Sequence, residues 1–480
     1  MNTPSADSSA SSFDAEPSEA IEAILGFQGP VLIDLDETLY LRNSTEDFID
    51  TARPGLLAMI LLRALDLVKP WRLTGGEPTR DAWRVRIIAI FFPWVKMRWR
   101  RRTAELAARH VNRPLLDALK SSAARPIVVT VGFLHIVHPL IASLGLADVT
   151  VVAARGFGFR DRLRGKLAMA VDALGIDTVR SALVITDSIQ DEPLLKTSAR
   201  PLRTIWPGAR YHRALGRVYV PGEYLSRVKR PGEHYIWRGI IQEDFAFWVL
   251  SSISLAAYPI LHVLGLLLLL LSFWAIYEHG YVDNDYTAAN FEHDPKLTAE
   301  FYEAPVSTPK WQPWIWAIAS GCAALFVLRA PHRPAPLDFF KWFAVLVATY
   351  GWFWLYNRMD KDTRIWMFPF LQFARCAAFA AVVPVVAVGA TALGAHVFSR
   401  WVPYYVYRYG TQGWPNAKTY LIRVLFFVLL SALLIISQGP IAVFNMTGAV
   451  ILLWSLFKAR HELADVARNV SRLDRGTPRR

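Results

Sequence analysis

The sequence predicts two dissimilar parts. The first is an N-terminal α/β domain, a parallel sheet with helices on both faces and a helical cap insertion; the second is a C-terminal all-α membrane domain of six to eight helices. Three observations carry this expectation. Short apolar strands alternate with helical stretches through the first 205 residues, and apolar runs long enough to cross a bilayer begin only at Asp244. The 480-residue chain is also 53% apolar and 19% charged, richer in apolar and poorer in charged residues than ordinary soluble domains. Net charge is −5 over residues 1–30, +12 over 31–243 and +6 over 244–480. A basic excess in the water-soluble half suits anionic membrane lipids or phosphorylated substrates. Nucleic acid is not expected as a partner, because no zinc-finger spacing or RNP-type motif occurs. Cys322 and Cys376 lie inside apolar stretches, which excludes a disulfide framework or a structural zinc site.

Residues 1–25, dominated at the start by Ser, Ala, Asp, Glu and Pro, are expected to be a disordered tail without a signal peptide. Strands at Val31–Ile33, Ile127–Val129, Val149–Val152 and Ala182–Ile185 imply a parallel sheet within a domain of residues 26–205. An insertion at about 45–120 reads as a cap. Within it, residues 80–113 hold ten basic residues against Asp81 and Glu105, interleaved with Trp83, Phe91, Phe92, Trp94 and Trp99. That pattern suits a helix in the membrane interface, or a cap with an aromatic core and a solvated charged face.

Residues 206–243 read as a basic juxtamembrane linker, 244–458 as the membrane domain and 459–480 as a basic tail. Spans are expected near 311–330, 338–357, 420–437 and 440–458. Two longer runs, 245–277 and 364–399, contain Pro259 and Pro384, and each is one tilted helix or a hairpin. Basic flanks on both sides place the α/β domain and both termini in the cytoplasm, at the inner membrane of a bacterium.

The residues that carry chemistry sit at strand ends. The first strand runs into Asp34-Leu-Asp36-Glu-Thr38, and residues i and i+2 of a strand share a face, so Asp34 and Asp36 point into one site. The second strand delivers Thr130. Lys166 follows a Gly- and Arg-rich turn in which Arg162 and Arg164 are rival cations, and the fourth strand ends in Thr186-Asp187-Ser188-Ile-Gln-Asp191. A carboxylate attacks a phosphate dianion only if their repulsion is offset, which an oxygen-liganded Mg²⁺ and a lysine achieve together. His135 and His138 read as packing or helix-start residues.

These four pieces, in this order, resemble the haloacid dehalogenase superfamily of phosphotransferases over roughly residues 28–205. The resemblance implies that Asp34 attacks phosphorus and that Asp36 protonates the leaving group and later activates water. It implies that Thr130 and Lys166 hold phosphoryl oxygens, that Ser188 lies beside the substrate, and that Asp34, Asp187, Asp191 and the Asp36 carbonyl hold Mg²⁺. Thr186 stands where the family usually has glycine.

In the second half, Tyr277-Glu278-His-Gly280-Tyr281-Val-Asp283-Asn284-Asp285 is followed by Glu292-His-Asp294. Acids beside a bilayer are costly and usually bind something. Asn284-Asp285 with Glu292 resembles the first acidic motif of the UbiA superfamily of membrane prenyltransferases, with Ala288 where another Asp is usual. The resemblance implies that these three residues bind Mg²⁺ gripping a diphosphate, with Glu278 and Tyr281 near the substrate. Arg358, Asp360 and Asp362, or the 404–418 loop with Arg408 and Lys418, are candidates for the second motif. Together the two resemblances imply a bifunctional membrane enzyme of lipid-linked sugar or cell-envelope synthesis. A prenyl or 5-phosphoribosyl group would pass from a diphosphate donor, such as phosphoribosyl diphosphate, to a polyprenyl or other lipid phosphate, and the phosphatase would act on the product. The alternative is a membrane-anchored lipid-phosphate phosphatase.

Overall fold

The computed structural model describes residues 13–156, 158–293, 295–303, 308–409 and 417–473. The chain divides between Val218 and Tyr219 into two compact units. The stretch 206–243, expected as one linker, is therefore shared: its first part belongs to the α/β unit and residues 219–243 to the helical unit.

In the first unit, β1 (Pro30–Ile33), β2 (Arg125–Phe133), β3 (Thr150–Ala154), β4 (Leu183–Thr186) and β5 (Arg200–Arg203) form one parallel sheet in the order β3-β2-β1-β4-β5. Val31, Leu32 and Ile33 of the central strand are buried, and a strand covered on both faces reads as a continuous apolar run rather than an alternating one. β5 was not anticipated, because its Arg-Pro-Leu-Arg sequence lacks that run. It lies at an edge, where Pro201 costs no ladder bond inside the sheet.

Helix α1 (Pro17–Leu25) corrects the expected disordered tail from residue 17 onward; residues 1–12 lie outside the described residues. Ala20, Ala23 and Ile24 recur at helical spacing and are buried, which a composition average over Ser, Asp and Glu conceals. Between β1 and β2 the chain forms α2 (Ser44–Asp50), α3 (Gly55–Val68), α4 (Arg80–Phe91), α5 (Val95–His110) and α6 (Arg113–Ser121), the cap. Phe92 and Trp99 are buried in it, whereas Phe91 and Trp94 are exposed. The remaining helices, α7 (Leu134–Ser143), α8 (Phe159–Leu174), α9 (Ile176–Arg180) and α10 (Glu192–Thr197), cover the sheet.

The second unit is helical: α11 (Ala246–Ser252), α12 (Pro259–Phe291), α13 (Ala299–Glu303), α14 (Gln312–Arg329), α15 (Pro336–Tyr356), α16 (Arg364–Ala377), α17 (Ala387–Tyr409), α18 (Thr419–Gln438) and α19 (Met446–Leu473). Both long apolar runs are broken, the first between Ser252 and Pro259 and the second between Ala377 and Ala387, so neither is a single tilted helix. Pro259 opens α12, where its missing N–H costs nothing. By length and composition, α12 and α18 are long and apolar enough to cross a membrane. α12 runs on past the apolar stretch to Phe291, so Glu278, Asp283, Asn284 and Asp285 stand on a helix rather than in a loop.

Candidate active site

Five of the six expected catalytic and metal-binding residues of the first unit lie on or just beyond the carboxyl ends of β1, β2 and β4, and Lys166 reaches them from α8. The Asp34 N–H donates to the Ile185 carbonyl at 2.9 Å, extending the ladder one residue beyond β1 and fixing the backbone at the reacting carboxylate. Glu37 then adopts a left-handed conformation (φ 59°), and the chain turns back so that the Tyr40 N–H meets the Leu35 carbonyl at 2.8 Å. Lys166 depends on a similar device. Gly165 interrupts α8 with φ 79° and ψ 174°, which a residue with a Cβ rarely adopts, and the helix restarts with Lys166 in its first turn.

The Lys166 ammonium lies 2.6 Å from Asp34 Oδ2 and 2.6 Å from Asp191 Oδ2. The rival cations have other partners. Arg162 spans cap and core, donating to the Pro78 carbonyl, to Asp81 and to the Val131 carbonyl, while Arg164 pairs with Asp172. The other Asp34 oxygen accepts the Leu35 N–H at 2.7 Å. Asp36 accepts the Ser44 N–H at 2.7 Å, at the start of α2, whose first turn Asn43 caps. Thr38 donates to Asp187 at 3.0 Å. Thr130 is buried and its hydroxyl accepts the Gly132 N–H at 2.9 Å, which leaves the hydroxyl proton for a phosphoryl oxygen.

Sequence reading gave Thr186 no role. Its hydroxyl lies 2.5 Å from Asp191 Oδ2 and 3.3 Å from Asp34 Oδ2, and it accepts the Ser188 N–H at 3.2 Å. The signal was the departure from glycine itself, since a hydroxyl in place of a hydrogen atom adds a donor between two acids. Ser188, expected beside the substrate, accepts the Gln190 N–H at 3.2 Å and shapes the turn before Asp191.

Burial raises the Asp34 pKa; Lys166 opposes this, while Asp191 and Asp187 add to it. Burial disfavours the charged form of Lys166, but Asp34 and Asp191 outweigh it and keep the ammonium form stable above the usual lysine range. Burial also raises Asp187 and brings Asp36 up to about 6, against the lowering effect of the Ser44 N–H. Among the described residues, no three side chains converge as a finished metal cage. The donor set is nevertheless hard oxygen, and mutually repelling carboxylates are the condition that a divalent cation relieves.

The acids of the helical unit are arranged differently. Asp285 pairs with Lys229 at 2.5 Å and accepts the Tyr224 hydroxyl at 2.8 Å, while Asn284 donates to Asp285 at 3.4 Å. Glu292, seven residues and hence about 10 Å further along the helix axis, pairs with Arg364 at 2.6 Å and Lys361 at 3.4 Å. The expected Asn284, Asp285 and Glu292 metal cluster is therefore not brought together, because each acid is neutralised by a different cation. Asp294 lies outside the described residues. Glu278 is buried and accepts the Tyr219 hydroxyl and the Gly222 and Leu225 N–H groups at 2.7–2.8 Å, so it anchors residues 219–225 rather than facing a ligand. Tyr281 packs edge-on against Tyr277 and Phe353. Arg358 lies over Trp354, and Asp360 accepts the Asp362 and Thr363 N–H groups ahead of α16. Arg408 contacts Tyr404, and Lys418 pairs with Asp465. Residues 410–416 of the second candidate loop lie outside the described residues.

A buried ion network also escaped sequence reading. Arg375 pairs with Asp244 at 2.6 Å, and Arg423 and Lys458 pair with Glu243, with His396 between the two acids. Arg375 and Arg423 interrupt stretches read as membrane spans, and a charge inside such a stretch was the available signal.

Residues 31–196 match the family model of haloacid dehalogenase-like hydrolases. This segment is a haloacid dehalogenase-like hydrolase domain, which supports a phosphatase-type function. No curated protein and no solved structure matches the chain.

Proposed function

We propose that the first unit hydrolyses phosphate monoesters through an aspartyl-phosphate, and that the whole chain is a membrane-anchored phosphohydrolase acting on a lipid phosphate at the cytoplasmic face of a bacterial inner membrane. The observation that carries this is the Lys166 ammonium held between Asp34 and Asp191, with Asp36 and Thr130 on neighbouring strand ends. Asp34 attacks phosphorus, the bond to the ester oxygen breaks, and that oxygen takes the Asp36 proton. Asp36 then accepts a proton from the water that attacks the aspartyl-phosphate, releasing inorganic phosphate and freeing Asp34. Lys166 and Thr130 hold the phosphoryl oxygens through both steps.

Asp34, Asp187 and Asp191, with the Asp36 carbonyl, are the residues to hold Mg²⁺. When bound, the ion neutralises phosphoryl charge and favours ionised Asp34. The cap's basic and aromatic stretch, residues 80–113, supports contact with anionic membrane lipids. The test of the hydrolase reading is release of phosphate from p-nitrophenyl phosphate by the detergent-solubilised chain with Mg²⁺. No release by the wild-type protein would overturn it.

A second reading assigns the helical unit the prenyl- or phosphoribosyl-type transferase activity. One observation favours it: Glu292 at the end of α12 meets Lys361 and Arg364 beside α16, and Lys296 meets Tyr407 near the end of α17, so three of the expected polar segments gather together. A diphosphate donor would have to replace acid partners on those cations. Transfer from phosphoribosyl diphosphate to a polyprenyl phosphate by the purified chain, lost on Asp285→Ala, would support this reading; no transfer would leave the anchored hydrolase.

A further inference from the structure

A second group of residues, on cap helices α4 and α5 and in the segment after β2, takes no part in the reaction above. On α4, Ala82, Val85, Arg86 and Ala89 fall at i, i+3, i+4 and i+7, and hence on one face. On α5, Lys96 and Arg100 are one turn apart and exposed. These two faces and the segment following β2 line an open cavity of about 570 Å³, within the size range of small-molecule sites. Phe133, three residues past Thr130, and Gly156, two past β3, both line it, so the cavity lies over the carboxyl ends of β2 and β3. The turn that carries Asp34 and Asp36 leaves β1, the neighbour of β2.

Gly132, adjacent to Phe133, ties the wall to the site. A Cβ at Gly132 would lie 3.2 Å from Thr130 Oγ1 and 3.7 Å from the hydroxyl of Ser44, the residue whose N–H holds Asp36.

The cavity's chemistry is mixed. Arg86, Lys96 and Arg100 bring three positive charges, and no acid is among the described residues that line it. Ala82, Val85, Ala89, Phe133, Leu134 and Pro139 supply an apolar wall. A purely apolar group has no use for three cations, and a small polar phosphate has no use for that wall. The phosphoryl group under attack already has Lys166 and Thr130.

We propose that this cavity receives the leaving group of the substrate, and that the leaving group is an apolar tail joined to a second anionic group such as a phosphodiester. The inference rests on the phosphohydrolase reading and specifies its substrate class. The apolar wall holds the first part of the tail, and Lys96 and Arg100, one turn apart, straddle the second anion.

The test compares three phosphate monoesters with the full chain in detergent and Mg²⁺. Short-chain phosphatidylglycerol phosphate has a tail and a second anion, short-chain phosphatidic acid has a tail only, and glycerol 3-phosphate has neither. We expect kcat/KM to fall in that order, by about tenfold or more at each step. Replacing both cations, Lys96→Gln with Arg100→Gln, should collapse the first ratio, and Ala89→Phe, which fills the wall, should collapse the second. The exchanged pair Lys96→Arg with Arg100→Lys should keep both. Ratios within one protein cancel any loss of folded material. Equal kcat/KM for all three esters in the wild-type protein, or ratios unmoved by these substitutions, would overturn the inference while leaving the hydrolase intact. Hydrolysis of none of them, nor of p-nitrophenyl phosphate, would instead overturn the hydrolase reading.

Discussion

Each half of the chain carries a set of acids beside cations, and the two sets are built on opposite plans. In the α/β unit, Asp34 and Asp191 share one ammonium, and Asp187 stands close enough to raise the Asp34 pKa. Charge is left unbalanced in one small volume, as a reaction centre requires. In the helical unit, Asp285 has Lys229, Glu292 has Arg364 and Lys361, and Asp244 has Arg375. Each of these three acids has its own counter-charge. Acids in a sequence therefore indicate a site only when the topology makes them converge; strand ends in a parallel sheet do so, and two turns of a single helix do not.

The largest effect should come from Asp34→Asn, which removes the nucleophile. Phosphate release from p-nitrophenyl phosphate should fall by about a thousandfold or more, whereas Asp285→Asn should keep it within about twofold. A comparable loss in both variants would break the contrast. Next, Arg375→Met leaves Asp244 buried without its partner, and breaking such a pair costs about 3–5 kcal/mol. A lowered unfolding midpoint in detergent is expected, and an unchanged one would show the network to be dispensable. Thr186→Val retains shape but removes the hydroxyl between Asp34 and Asp191, and kcat should drop by about tenfold, equivalent to about 1.4 kcal/mol. The smallest effect concerns pH. Burial raises Asp36 to about 6, so the protonated acid prevails below that value and is lost as pH rises through it. An alkyl phosphate, whose leaving oxygen needs that proton, should lose rate above about pH 6 relative to p-nitrophenyl phosphate, whose leaving group does not. Parallel profiles would remove Asp36 from the acid's role.

Much of the α/β unit was legible because its signals are local. Val31–Ile33 is apolar since both faces are covered, and Asp34 and Asp36 follow because strand geometry sets their spacing. What stayed hidden depends on partners far away in sequence. Nothing near Arg162 tells that its guanidinium binds residues 78 and 81 as well as 131, and nothing near Thr186 tells that Asp34 lies 3.3 Å away. α1 was missed because composition averages over a segment whose few apolar residues share one face. The acidic stretch of α12 suggested a ligand site because its polarity is local, whereas Lys229 and Arg364, which neutralise it, lie 56 and 72 residues away.

Arg162 gives the α/β unit a constraint in time as well as space. One side chain donates at 2.7 Å to the Pro78 carbonyl and at 2.9 Å to Asp81, both in the cap, and at 2.9 Å to the Val131 carbonyl, while its plane lies over the Phe133 ring. This guanidinium therefore joins cap to sheet alongside other ties, such as the Trp99 indole donating to the Ile136 carbonyl, and separating the two would break all of its contacts together. Were a bulky substrate to enter between cap and sheet, release of these contacts would set a ceiling on turnover, however fast the bond to phosphorus is broken.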